Sequence, residues 1–152
     1  MPRIVREADV VWEGTISRGS GVVTATSSRA FELPITIASR VGDPEGKTSP
    51  EELLAAAHAS CFVTSLGGEL ARARTPPERL EVHCTITMDE VEGIGHRIVS
   101  SVIAASGSVS GCDAAAFAQA AEAADAGCSF SALLKASATV TIEATLDDEG
   151  ES

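Results

Sequence analysis

One run constrains the fold more than any other part of the chain: Ser49-Pro50-Glu51-Glu52-Leu53-Leu54-Ala55-Ala56-Ala57-His58-Ala59-Ser60-Cys61-Phe62. Ser49 suits a helix N-cap, and Pro50 suits the first helical position, where the N–H needs no partner. Glu52, three residues after Ser49, predicts a capping box, and Glu51 and Glu52 complement the positive helix end. From Leu53 to Leu66 the only polar side chains are His58, Ser60, Thr64 and Ser65, none with an obligatory charge. A helix apolar on nearly every face is normally buried on every face. Gly67-Gly68 weaken its last turns, and Thr75-Pro76-Pro77 stop it after about Arg72.

The rest of the chain reads as cover for that helix. Residues 8 to 16 and 21 to 27, joined by the turn Ser17–Gly21, predict a hairpin. Ala30 to Ile37, interrupted by Pro34, predicts an edge strand, and Arg40 to Lys47 a loop. Arg79 to Glu90 is the clearest strand, with Leu80, Val82, Cys84, Ile86 and Met88 on one face. A turn at Gly93-Ile94-Gly95 returns the chain through Arg97–Val109. Asp113 to Ala126 predicts an amphipathic helix with Gly127 as its C-cap. Residues 128 to 135 predict a short second helix, and 136 to 146 a final strand.

The expected fold is α+β, in the order β-β-β-α-β-β-α-β, with antiparallel sheets packed around a buried central helix. Residues 1–146 read as a single domain, and 147–152 as an acidic disordered tail. One antiparallel sheet and two helices hardly cover both sides of an apolar helix, so a homodimer is expected.

Charge and composition exclude several functions. A net charge of −11 argues against a nucleic-acid partner, which needs clustered Lys and Arg. No stretch is expected to reach the roughly 18 apolar residues of a membrane span, and the N-terminus lacks a signal-peptide core. The expected location is therefore the cytoplasm, with no membrane association. Cys61, Cys84, Cys112 and Cys128 form no CxxC pair, so a zinc site is poorly supported, and a reducing compartment disfavours a disulfide scaffold.

The thiols remain as candidates for chemistry. Cys61 lies twelve residues past Ser49, beyond the roughly one turn over which the helix dipole acts, and a buried thiol without help is inert. It is either a small core side chain or a nucleophile activated by a cation from elsewhere. Cys128 opens a helical turn, where free N–H groups favour a thiolate. Cys84, on the apolar face of its strand, and Cys112, beside Asp113, read as bystanders. His58 is either a neutral core histidine or the base of a Cys-His nucleophilic pair with Cys61, three residues on. Glu51 and Cys61 are ten residues apart, about 15 Å along a straight helix, too far to touch.

The helix motif, with Trp12-Glu13-Gly14, Arg18-Gly19-Ser20-Gly21 and Ala124-Asp125-Ala126-Gly127-Cys128, closely resembles the OsmC/Ohr family of thiol peroxidases. Ala57-His58-Ala59 is more similar to the OsmC branch. Ser129 departs from the proline that usually follows the family's second cysteine. The resemblance implies that Cys61 is the peroxidatic thiolate and Cys128 the resolving thiol, which together form a transient intrachain disulfide. It implies that a dithiol reductant, of lipoyl type or carried on a lipoylated protein, reopens that disulfide, with no bound cofactor or metal. It also implies an activating arginine, Arg40 by the OsmC pattern or Arg18 by the Ohr pattern, held by Glu51. Intertwined homodimers are a further implication. The apolar surroundings of Cys61 favour organic hydroperoxides over hydrogen peroxide as substrate, in oxidative or osmotic stress defence. A Cys-His hydrolase or acyl-transfer enzyme, and a non-catalytic binding domain, remain the alternatives.

Overall fold

The computed structural model describes residues 2–148. The chain divides into two compact units, residues 1–53 and 54–152, each with its own three-stranded sheet.

In the first unit, β1 (Asp9–Glu13), β2 (Ser20–Thr24) and β3 (Glu32–Ile35) form an antiparallel meander in that order. The expected hairpin is present, with shorter strands, and Pro34 lies on the edge strand as expected. Its carbonyl accepts a hydrogen bond from the Thr48 N–H at 3.0 Å. The Trp12 indole lies so close that a Cβ on Gly19 or Gly21 would come within 2.8 Å of the ring, so both positions must be glycine.

A short helix, α1 (Ile37–Val41), occupies the start of the expected loop. Thr36 and Ser39 cap each other reciprocally, a local solution that satisfies the first N–H groups. Five residues are too few to show a helical period, which is why the sequence pattern conceals it.

The next helix, α2 (Pro50–Arg72), has the predicted bounds. Ser49 Oγ accepts from the Glu52 N–H at 3.1 Å, as a cap should. The other half of the expected box does not form. The Glu52 carboxylate takes the Thr48 hydroxyl at 2.8 Å instead, a side-chain donor held in place because Thr48 is buried. By length and mean hydropathy, 1.2 over its most apolar window, α2 is the one helix among the described residues that could cross a membrane. Counting only unbroken apolar residues misses this, because His58, Ser60, Thr64 and Ser65 interrupt the run without making it polar. Its buried face meets protein.

That face belongs to the second unit, where β4 (Arg79–Val91), β5 (Gly95–Ser108) and β6 (Thr139–Leu146) form a sheet in the order β4-β5-β6. The β4–β5 hairpin is antiparallel, with an irregularity between Thr87 and Met88, and its alternation matches the sequence pattern. The pairing of β5 with β6 is parallel, from Ser100↔Thr139 to Gly107↔Leu146, which corrects the expectation of purely antiparallel sheets. Parallel neighbours need a crossover of a dozen or more residues, and α3 (Ala114–Gly127) with α4 (Ser129–Lys135) supply it. With α1 and α4 included, the order is β-β-β-α-α-β-β-α-α-β.

Phe62, Leu66 and Leu70 of α2 pack with Ile103 and Ala105 of β5 and with Phe117, Ala120, Ala121 and Ala124 of α3. Gly107 makes this contact possible, because a Cβ there would lie 2.7 Å from Leu80 Cδ2 and 3.2 Å from Phe117 Cε1. Within the chain, α2 buries a stripe only: His58, Phe62, Leu66 and Leu70, at a spacing of four. Leu53, Leu54, Ala57 and Val63 stay partly exposed, so one chain does not bury the helix on every face.

Asp113, expected as the first residue of the helix, is instead the N-cap of α3, accepting from the Ala116 N–H at 2.8 Å. Gly127 is the last residue of α3 and not its cap. Cys128 takes that place in extended backbone, φ −84°, because the chain turns straight into α4 and needs no left-handed residue. After β6 the Asp147 N–H donates to the Gly107 carbonyl at 2.8 Å, so the expected tail begins tied to the sheet. Its residues 149–152 lie outside the described residues.

Candidate active site

Two candidate residues from distant parts of the sequence meet in the second unit. Cys61, half-buried on α2, and Cys128, 1% exposed at the α3–α4 junction, are both free thiols. Their sulfurs are 3.0 Å apart, and the Cys128 S–H donates to Cys61 Sγ.

Burial alone would push the Cys61 thiol up, and it is the largest single influence. Hydrogen bonds outweigh it together: from the Cys128 S–H, the Phe130 backbone N–H, the Ser129 hydroxyl and the Ser129 backbone N–H, in falling order. Cys61 is therefore held below the ordinary thiol range, its thiolate favoured by those donors. The first turn of α4 is aimed at the sulfur through the amides of Ser129 and Phe130 and the Ser129 hydroxyl. Ser129 Oγ lies 3.9 Å from that sulfur. A proline at this position would have neither hydroxyl nor N–H.

Cys128 is shifted the other way. Burial and its hydrogen bond to Cys61 raise it, against the Ser131 backbone N–H and hydroxyl, which favour the thiolate. The thiolate is thus favoured at Cys61 and the thiol at Cys128.

Behind this pair lies His58, fully buried. Its Nδ1 is 2.6 Å from Ser101 Oγ on β5, and its Nε2 is 2.8 Å from Ser131 Oγ on α4. Burial, the largest influence, lowers its pKa, so the ring is neutral. With both nitrogens taken by serines, neither is directed at Cys61, which removes the geometry of a Cys-His nucleophilic pair. Cys84 is more than core: its Sγ lies 3.3 Å from Ser101 Oγ and 3.8 Å from His58 Nδ1, and burial raises its pKa. Cys112 is buried, its S–H directed at the Asp113 carbonyl at 3.5 Å.

The remaining candidates lie in the first unit. Arg40, in the last turn of α1, and Glu51, in the first turn of α2, form a bidentate pair, Nε to Oε1 at 3.0 Å and Nη2 to Oε2 at 2.9 Å. The hydrogen bond to Glu51 keeps the guanidinium pKa above its usual value. A cavity of about 100 Å³ lined by Trp12, Ile16, Ile35, Ile37, Arg40 and Pro50 borders this pair. Arg18 lies exposed in the β1–β2 turn, and only its backbone is engaged, donating to Thr15 Oγ1 at 3.3 Å. Among the described residues, no three or more His, Cys, Asp or Glu are grouped to hold a metal ion.

Residues 42–143 match the family profile described as OsmC-like protein. The chain belongs to the OsmC family. It is 34% identical over 137 residues to the peroxiredoxin OsmC of Escherichia coli K12, covering 90% of this chain and 94% of that one. Among solved structures, the OsmC-like protein of Mycoplasma pneumoniae superposes with a TM-score of 0.76 at 9% identity, over 95% of this chain and 99% of that one. The organic hydroperoxide resistance protein OhrB of Bacillus subtilis superposes with a TM-score of 0.69 at 19% identity, over 91% and 98%. These structures establish the OsmC/Ohr fold.

Sequence reasoning missed the serines. Ser101 and Ser131 lie 43 and 73 residues from His58, and a lone serine on a strand or helix carries no signal of its own. Only the implausibility of an unsatisfied buried histidine hints that such partners exist.

Proposed function

We propose that this OsmC-family protein is a two-cysteine thiol peroxidase that reduces organic hydroperoxides to alcohols. The observation that carries the reading is the pair of free sulfurs 3.0 Å apart, one favoured as thiolate and one as thiol. The name of the Escherichia coli relative, a peroxiredoxin, supports it.

In this reading the Cys61 thiolate attacks the terminal peroxide oxygen and the O–O bond breaks. The departing alkoxide takes a proton to become the alcohol, and Cys61 is left as a sulfenic acid. Cys128 then attacks the Cys61 sulfur, forming the disulfide and releasing water. An external dithiol, such as a lipoyl group or a lipoylated protein, reopens it by thiol–disulfide exchange, so no bound cofactor is needed.

We assign peroxide orientation to Arg40, its guanidinium held by Glu51, with Arg18 as the alternative. The apolar cavity beside Arg40 favours an alkyl group over a bare peroxide. The partly exposed apolar faces of α2 favour a homodimer. Cytoplasmic stress defence, oxidative or osmotic, is the assigned setting.

Stoichiometric cumene hydroperoxide followed by mass mapping is the test. A Cys61–Cys128 disulfide is expected, and intact thiols at Cys61 would end the reading. Equal rates with cumene hydroperoxide and hydrogen peroxide would remove the preference for organic substrates, and a monomer in sedimentation at micromolar concentration would remove the dimer.

A further inference from the structure

The hydroxyls near the thiol pair on α2 and α4 are engaged elsewhere, with one exception. On α2, Ser60 donates to the Ala56 carbonyl at 2.6 Å, Thr64 to the Cys61 carbonyl at 2.9 Å and Ser65 to the Ala124 carbonyl at 2.9 Å. On α4, Ser131 Oγ is held 2.8 Å from His58 Nε2. The exception is Ser129, the exposed first residue of α4, whose Oγ lies 3.9 Å from Cys61 Sγ. Among the described residues, that sulfur is the hydrogen-bonding contact its hydroxyl has.

At 3.9 Å the contact is loose for the resting sulfur. It suits an oxygen carried on that sulfur. One S–O single bond, followed by an O–H···O hydrogen bond of about 2.7 Å and bent at the shared oxygen, spans close to this separation. Exposure agrees with the distance. Cys61 is half-buried and Ser129 exposed, whereas Cys128 and His58 are buried. An oxygen delivered from solvent therefore meets the sulfur away from the buried Cys128, where an exposed hydroxyl can reach it.

We propose that the Ser129 hydroxyl donates a hydrogen bond to the oxygen that Cys61 takes from the peroxide, and supports that oxygen as it leaves when Cys128 resolves the sulfenic acid. Ser129 is then a further catalytic residue. The inference deepens the peroxidase reading and rests on it.

The terminal peroxide oxygen becomes the oxygen of the Cys61 sulfenic acid. The Ser129 O–H donates to its lone pairs, as a serine hydroxyl can. When the Cys128 sulfur attacks Cys61 Sγ and gives up its proton, the S–S bond forms and the S–O bond breaks. The electron pair of the S–O bond goes to the departing oxygen. Negative charge grows there, so a donor already in place counts for more during departure than in the sulfenic acid itself. The proton that Cys128 gives up is balanced by the one the departing hydroxide takes, and water leaves. Sulfenic acid plus thiol thus gives disulfide plus water. The Cys61 sulfur is reduced, the Cys128 sulfur is oxidised, and no further reagent is needed.

Two leaving groups on the same sulfur test the role. In the first reaction, the reduced full-length protein receives one equivalent of cumene hydroperoxide and is quenched over time with dimedone. The Cys61 sulfenic acid and the Cys61–Cys128 disulfide are counted by mass. In the second, Cys61 is first joined to thionitrobenzoate by reaction with dithiobis(nitrobenzoate), and the attack of Cys128 is followed as the coloured thiolate departs. Both reactions ask the same of Cys128, but only the first expels an oxygen.

Ser129→Ala is expected to slow disulfide formation from the sulfenic acid about tenfold, the scale of one hydrogen bond to a group gaining charge, and to leave thionitrobenzoate release within about twofold of wild type. Ser129→Thr, which keeps the hydroxyl, should recover most of the lost rate. A wild-type resolving rate in Ser129→Ala overturns the role. Equal slowing of both reactions also overturns it, because the loss then lies in the approach of Cys128 and not in the departing oxygen. Ser129→Thr as slow as Ser129→Ala does the same. In each of these outcomes the peroxidase reading stands. A wild type whose Cys61 consumes no peroxide overturns both.

Discussion

The two units hold charge in opposite ways. In residues 1–53, Arg40 and Glu51 meet as a full ion pair, with side-chain exposures of 39% and 17%. In residues 54–152, the thiol pair and His58 rely on neutral partners: a thiol, the hydroxyls of Ser101, Ser129 and Ser131, and the amides opening α4. The contrast follows from burial. A charge without a counterion is costly away from water, so the half-buried Cys61 sulfur has its thiolate favoured by several weak donors, while the fully buried His58 is kept neutral. Where water is near, a guanidinium and a carboxylate can remain charged and available to a polar ligand. In this chain the groups that favour the Cys61 thiolate are hydrogen-bond donors of its own unit.

The most severe way to sharpen this contrast is Cys61→Ser, which should bring peroxide turnover to background while Arg40 and Glu51 remain paired. Phe62→Ala removes a fully buried ring from the core behind the thiols, and should cost about 3–5 kcal/mol in urea unfolding. A loss near zero would mean that this core does not support the site.

Arg40→Ala separates the two kinds of charge most directly. Turnover should fall about a hundredfold, the usual scale for losing one oriented donor to a reacting oxygen. Alkylation of Cys61 by iodoacetamide at pH 7 should stay within about twofold. If alkylation collapses with turnover, the thiolate depends on Arg40 after all, and the contrast fails.

Cys128→Ala withdraws the strongest of the donors to Cys61. Because that donor favours the thiolate, its loss raises the Cys61 pKa. Alkylation at pH 7 should slow about tenfold, with the rate–pH profile displaced to higher pH. The smallest effect should be the stability of Arg40→Ala, changed by no more than about 1 kcal/mol, as for other partly exposed ion pairs.

Much of the scaffold was legible from pattern. The alternation from Leu80 to Met88 and the Ser49-Pro50 start of α2 each declare themselves locally, because strand period and capping chemistry are properties of neighbouring residues. Cys61 and Cys128 stood out for the same reason, one inside an apolar helix and one at a helical turn. What stayed hidden was relational. The parallel pairing of β6 with β5 depends on how a crossover packs, and the side-chain pattern of β6 suits either direction. The Glu52 carboxylate chose Thr48 over the expected box because a buried hydroxyl was closer to hand.

The sequence by itself determined an apolar helix carrying a thiol, an acidic protein unsuited to nucleic acid, and, with its motif, the OsmC family. The tertiary structure decided what that thiol is. It brought Cys128 to 3.0 Å from Cys61, turned the α4 amides onto the sulfur, and enclosed His58 between Ser101 and Ser131. Hydrogen bonds and burial act over a few ångströms in space, whatever the separation along the chain, and so the groups that favour the Cys61 thiolate could be read only from the fold.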